Sequence, residues 1–346
     1  MKRRRHSKLR QAFQSLWHRL RPEVLVLRYH RIANLSSDPH PVCVSPARFA
    51  EHLEILRKHR RVISLRQLVA ALQNGHVPSG AVVVTLDDGY ADNLYQGKPL
   101  LERFDLPATV FVTTGHLRGR REFWWDEIGQ ILLQPGTLPE RLSLAVDGAQ
   151  YDWDLNDARH YRQEDFCRHQ SWNLRVDHDP TPRHRLYRDL HRLLKPMPAG
   201  QQQKILDDLA AWAGLSPCAR ETHRFLTPDE IIRLADGGLI AVGAHTVTHP
   251  ILSQLSASSQ RDEILGSKVQ LEEILGSPVT SFAYPYGSQS DYTKETVAII
   301  QEGGFDCACS TIAHGVSKQA DRFELPRVYV GNWSADEFAR KMGFAI

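Results

Sequence analysis

The sequence predicts an α/β fold on a parallel sheet, and three observations carry that prediction. Short apolar runs rich in β-branched residues alternate with helical patterns through residues 24–115, and the same alternation returns in 227–330. Several of these runs end in charged or imidazole side chains where an ordinary turn would suffice, as in AVVVTLDDGYAD at 81–92. Residues 116–225 break the rhythm between the two halves, as an insertion on a barrel would.

The elements follow in order. Val24 to Tyr29 (VLVLRY) is the first strand. Helices are predicted at about 45–59 and 64–74, the second opened by Ser64 with Gln67 three residues on, a capping box. The strand at 81–86 carries Val82, Val83 and Val84 and reads as buried on both faces; Asp87 and Asp88 stand at its carboxyl end before Gly89. A helix through 92–104 and a strand at 108–113 complete the first run. In the insertion, Leu142, Leu144 and Val146 face Tyr151, Trp153 and Leu155 across an Asp-Gly turn, so a hairpin is predicted. Residues 183–213 read as helical with Leu186, Leu190 and Leu193 on one face, and RHRLYRDLHR at 183–192 as its solvated face. The second run opens at Thr227, where T-P-D-E joins an N-cap, a first-turn proline and a capping glutamate. Strands at 239–243, 280–284, 305–310 and 326–330 alternate with helices at about 258–275 and 291–302, and Ser334 with Glu337 caps the last helix. The domain reading is an arm at 1–22, a barrel in two parts at 23–115 and 226–346, and the insertion at 116–225.

Composition narrows the setting. No apolar run approaches the roughly 20 residues of a membrane-spanning helix, and the N-terminus lacks the apolar stretch of a signal peptide, so the cytoplasm is the predicted compartment. The five cysteines fit neither a zinc ribbon nor a disulfide framework and read as reduced thiols. Residues 1–22 hold eight basic side chains and no acid, although the whole chain is only +3, so the remainder is net acidic. Leu9, Phe13, Leu16, Trp17 and Leu20 recur there at helical spacing. Such a helix suits an anionic surface at the inner face of a membrane through residues 1–21, or packs its apolar face on the body of the protein. Nucleic acid is a weaker third option for the arm, because the remainder is acidic overall, and no nucleic-acid partner is expected.

The chemistry gathers at strand ends. H-T-V-T-H-P at 245–250 follows the strand LIAVG directly, and histidines four apart can point the same way from one turn of helix. In a parallel barrel the carboxyl ends of the strands share one face, so Asp87, Asp88, His245 and His249 would converge there. Two neutral imidazoles and one carboxylate make a three-ligand metal site with a position open to water. The second carboxylate can then accept a proton from that water.

Together these residues resemble the polysaccharide deacetylase family, built on the NodB homology domain and similar to carbohydrate esterase family 4. The family's T-F-D-D-G is matched by Thr85-Leu86-Asp87-Asp88-Gly89, its H-[ST]-x-x-H by His245-Thr246-Val247-Thr248-His249, with Leu252 following, and its F-R-x-P-Y-G by Phe282-Ala283-Tyr284-Pro285-Tyr286-Gly287. The resemblance implies a distorted (β/α) barrel with fewer than eight complete units and one divalent metal, usually zinc. It implies Asp88, His245 and His249 as ligands and Asp87 as the general base that activates water against an acetamide carbonyl. An oxyanion would be held near the Tyr286 N–H, with Pro285 and Tyr286 lining the substrate site.

The chain also departs from the family pattern. Ala283 stands where many members have the arginine that orients the catalytic aspartate, and Arg327 in L-P-R is the nearest substitute, with a surface salt bridge as its other reading. The late L-x-H motif that supplies a general acid in many members is missing. His30, in L-R-Y-H at the end of the first strand, is the best replacement, because Y-H there looks like the branch found in exopolysaccharide synthesis, with a buried, hydrogen-bonded and inert structural histidine as its other reading; His314 is the weaker candidate. Trp124 and Trp125 could stack on a sugar ring or be plain core. The expected function is removal of N-acetyl groups from amino-sugar units of a polysaccharide or its lipid-linked precursor. The alternatives are a deformylase of a lipid-linked amino sugar, a magnesium phosphohydrolase, and an inactive carbohydrate-binding relative.

Overall fold

The computed structural model describes residues 24–343 except 118, 120 and 217; the basic arm lies outside the described residues. Seven strands form one sheet in the order Cys307–Cys309, Ser281–Ala283, Ile240–Ala244, Ala108–Val112, Val82–Leu86, Leu25–Tyr29 and Val328–Tyr329, all of them parallel. The sheet curls into a distorted half-barrel with helices outside it. Bridges from Cys309 to Leu325 and from Val24 to Val316 draw its edges toward each other.

The period of two along each strand sorts its side chains. Leu25, Leu27, Val82, Val84, Leu86, Val110, Val112, Val242 and Phe282 pack outward against the helices. Val24, Val26, Val83, Phe111, Ala283, Cys307 and Cys309 pack inward with Leu325. Space inside is tight: a Cβ on Gly243 would meet the Phe111 ring at 2.5 Å. Continuing the same alternation by two residues puts Arg28, His30, Thr85 and Asp87 on the inward side at the carboxyl end. This placement positions the site.

The insertion has its own core, in which Trp124, Trp125, Leu132, Leu186, Tyr187, Leu190 and Leu209 are buried. Its hairpin pairs Leu142 with Trp153 and Leu144 with Tyr151 around Asp147 and Gly148, both at positive φ. Two expectations need correction. Residues 183–213 form two helices, Pro182–Leu194 and Ala199–Ala213, because Pro196 and Pro198 cannot continue the backbone ladder. The inward face is then Leu186, Leu190 and Leu194, whereas Leu193 is half-buried. The basic run is not simply a solvated face either. Arg183 is 1% exposed and donates to the carbonyls of Leu132, Gln134, Gly136, Ala158 and Arg159, and His184 is buried beside it.

Candidate active site and metal centre

Three strands deliver the central residues. Asp87 and Asp88 follow Val82–Leu86, His245 follows Ile240–Ala244, and His30 follows Leu25–Tyr29. Between Leu86 and the next helix the chain turns sharply at Asp88 and Gly89, both with φ near +80°. Gly89 has no alternative, since a Cβ there would meet the Val112 side chain at 2.9 Å. The HTVTH segment is a tight bend, which corrects the expected turn of helix: Thr246 and His249 sit at φ +66° and +61°, and the Thr246 hydroxyl accepts the His249 N–H. Glu263 fixes that bend by accepting from the Val247 and Thr248 N–H groups and the Thr248 hydroxyl. Tyr286 is also at positive φ, so four of the seven described non-glycine residues with this strained backbone lie at the three motifs.

Ligand atoms of Asp88, His245 and His249 all lie within 4.8 Å of one another, and all three residues are buried. His245 Nδ1 donates to the Ala283 carbonyl at 2.7 Å, which leaves its Nε2 lone pair facing Asp88. Each Nε2 is 3.5 Å from Asp88 Oδ1. Burial, with the neighbouring His245, lowers His249 to about 3 and keeps its imidazole neutral. Burial alone would raise the Asp88 carboxyl, but its closeness to His245, His30 and His249 outweighs that and holds it below its ordinary value. Two imidazoles and a carboxylate on one point form a donor set that suits a divalent metal such as zinc.

Asp87 lies beside this cluster and is tied from behind. Arg327, fully buried, donates to both its oxygens, at 2.6 and 2.8 Å, and to the Ser310 carbonyl at 2.9 Å. Burial raises the Asp87 carboxyl; the Arg327 charge, then His245 and His30, more than offset that and hold it below its ordinary value. The guanidinium that grips Asp87 thus comes from the residue just before Val328–Tyr329 and not from the strand that carries Ala283.

These residues floor a cleft of about 400 Å³. His30 lines it, with Nδ1 buried and unpartnered, and burial lowers its pKa to about 4. His314 is exposed and outside the cleft. Trp125 lines the cleft and meets the His249 ring edge-on at 5.2 Å. Trp124 does not line it: neighbouring helix positions point about 100° apart, and its indole packs in the insertion's core. Tyr286 lines the cleft at 4.7 Å from His249, while Pro285 is buried beneath. Sequence reading missed Arg28, His40, Arg175 and Lys195, which also line it. Arg28 had a signal, since it shares strand parity with His30; His40, Arg175 and Lys195 sit in loops with none.

Comparison with known proteins can now be set against this geometry. Residues 205–308 match the polysaccharide deacetylase family model, a span that holds the second and third motifs but not the first. No curated protein sequence matches the chain. Among solved structures, deacetylase PplD of Streptococcus pyogenes in complex with acetate aligns at TM-score 0.56 and 18% identity over 92% of this chain and 98% of its own. IcaB from Ammonifex degensii aligns at 0.56 and 17%, over 94% and 97%. The BpsB deacetylase domain from Bordetella bronchiseptica aligns at 0.51 and 14%, over 89% and 96%. At such identities the likeness is one of fold. The resemblance drawn from the three motifs therefore holds: the chain carries polysaccharide deacetylase motifs on the fold of solved polysaccharide deacetylases.

Proposed function

We propose that the protein is a divalent-metal-dependent hydrolase that removes N-acetyl groups from amino-sugar units of a polysaccharide or its lipid-linked precursor. One observation carries the reading: the Asp88, His245 and His249 donors meet on one point, with the Arg327-gripped Asp87 beside them on the floor of one cleft. Zinc held by those donors would supply Lewis acidity toward the acyl carbonyl and acidify water.

The chain's own residues account for the rest. Asp87, kept ionised by Arg327, takes the proton from the attacking water at a carboxylate oxygen. The Tyr286 N–H, which makes no hydrogen bond among the described residues, can donate to the oxygen that gains charge in the transition state. His30 is neutral at rest, so it serves the departing amine only after gaining a proton during the reaction. Trp125 offers an apolar wall for a sugar ring.

The test pairs metal content with turnover of N-acetylated and N-formylated amino-sugar oligomers. Wild type should hold about one zinc per chain and release acetate, and His245→Ala or His249→Ala should lose the metal. Asp87→Asn should keep it and lose activity on the order of 10² to 10⁴-fold. Full activity of Asp87→Asn would reassign the base, and formate released in preference to acetate would move the reading to a deformylase.

A further inference from the structure

The cleft holds more positive charge than the proposed chemistry uses. Arg28, Arg175 and Lys195 all line it, and none joins an ion pair among the described residues. Nearby arginines of the insertion behave differently: Arg188 pairs with Asp179 and Arg220 with Glu122. The cleft's own carboxylates form no ion pair with the three cations among the described residues, although Asp87 and Asp88 act on Arg28 through space. Asp87 is gripped by Arg327, Asp88 faces the two histidines, and Asp291 accepts from the Ser288 backbone and hydroxyl.

Two of the cations share a wall. Arg28 and Tyr329 are register partners on adjacent strands, and the Arg28 guanidinium lies 5.9 Å from the Tyr329 ring centroid. Arg175 lies over the same ring at 4.2 Å. The Arg28 Nε is buried with no hydrogen-bond partner, at an inward strand position where Val24 and Val26 before it are apolar core. A cation left that way costs stability, so packing does not explain it. Arg175 is carried by a pinned loop: the Leu174 N–H donates to the Pro39 carbonyl, and Arg188 donates to the carbonyls of Leu174 and Val176. Tyr329 is fixed in turn by its hydroxyl on the Pro41 carbonyl at 2.7 Å. Beyond this wall a second cavity of about 330 Å³ shares Arg175 and Tyr329, so a chain longer than one sugar has room to pass them.

We infer that Arg28 and Arg175 over Tyr329 form a subsite for an anionic group, carboxylate or phosphate, on the acylated amino sugar or on the unit next to it. The inference rests on reading the cleft as a sugar site. It deepens that reading from a neutral amino sugar to an acidic one, with Lys195 over Tyr286 adding charge on another part of the cleft wall. Guanidinium groups suit both anions, so the two sources are separated by experiment.

Calorimetric titration of the full-length, zinc-loaded protein would use three ligands: N-acetylglucosamine 1-phosphate, a glucuronate–N-acetylglucosamine disaccharide, and neutral diacetylchitobiose. At least one acidic ligand should bind on the order of tenfold tighter than the neutral one, and which one does so names the anion. That preference should shrink with added salt. It should collapse in Arg28→Gln/Arg175→Gln and persist in part in Arg175→Lys, which keeps the charge. Arg175→Gln alone, in an exposed loop, provides a folded variant if the strand substitution disturbs folding, and it should lose part of the preference. Equal binding of all three ligands, or a preference unchanged in Arg175→Gln and the double variant, would overturn the subsite. Acetate release measured alongside separates the two proposals. Arginine-dependent binding of an acidic sugar without acetate release supports the subsite and removes the deacetylase reading; acetate release with no acidic preference does the reverse.

Discussion

Helices of the barrel and helices of the insertion begin in different ways. Six barrel helices start behind Ser45, Ser64, Thr227, Ser256, Thr293 and Ser334, each of which accepts a backbone N–H on its own side chain. The three longest insertion helices start behind Phe123, Thr181 and Pro198 with no such bond. These six barrel helices are thus capped by a neighbour three residues away, a bond that the three longest insertion helices lack and that the barrel's Lys98–Phe104, behind Gly97, also lacks. The same division appears in one buried arginine taken from each region. Arg183 gathers five backbone carbonyls from two chain segments, 132–136 and 158–159, whereas Arg327 grips one carboxylate at the floor of the cleft. One buried charge organises backbone, and the other organises chemistry.

The largest expected effect comes from Arg327→Met. With the guanidinium gone, burial is left to push the Asp87 carboxyl upward, so less of it is ionised at neutral pH. Turnover at neutral pH should fall on the order of 10²-fold or more, and the acid limb of the pH profile should move to higher pH. The sign for stability follows from the same shift. A carboxyl lowered in the folded state stabilises above its ordinary range and loses that contribution as pH falls through the lowered value. The variant should therefore lose stability at neutral pH, by about 3–5 kcal/mol for a buried charge left unpaired, and show less further loss on acidification through that window. An unmoved acid limb would mean that Arg327 supports the fold only.

Arg183→Met should do the opposite. Five carbonyls lose their donor, and stability should drop by several kcal/mol, because leaving one buried polar group unpaired already costs about 1–3 kcal/mol. Molecules that remain folded should keep the wild-type pH profile, measured as turnover below the melting temperature. A shifted profile would break the contrast and tie the insertion to the reacting groups.

The contrast also explains what could be read in advance. Val82 to Leu86 ending in Asp87 and Asp88, His245 and His249 after a strand, and the boxes at Ser64 and Thr227 are local patterns, and each stands where it was expected. Arg327 is legible because Ala283 stands where an arginine is expected and L-P-R at 325–327 is the nearest substitute. Local patterns failed where partners are distant. Leu193 and Leu194 are both plausible inward residues until the Pro196 break sets the helix end, and Arg183 looks solvated until the loops at 132–136 and 158–159 fold over it. The bend at Thr246 was missed because positive φ in a threonine has no propensity signal and is held by Glu263, 17 residues on. Arg175 reaches the cleft only because the Pro39 and Arg188 contacts place its loop there.

The smallest effect tests whether barrel caps are as local as they look. Ser64 Oγ accepts the Gln67 N–H at 3.2 Å, and Gln67 Oε1 accepts the Ser64 N–H at 2.9 Å. Both bonds are exposed, so water replaces much of what Ser64→Ala removes, and the expected loss is about 1 kcal/mol. In a chain of this size that lowers the melting temperature by about 1–2 °C. The helix itself should persist, because Leu65, Leu68 and Val69 remain packed in the inward core. Gln67→Ala removes the other half of the same box, so the double variant should lose less than the two single losses added together. Zinc content and the acid limb should stay at wild-type values in all three variants. A loss well beyond 2 kcal/mol, or a cleft that releases its metal, would show that this cap is coupled to the strand ends, and the barrel would then depend on distant contacts as the insertion does.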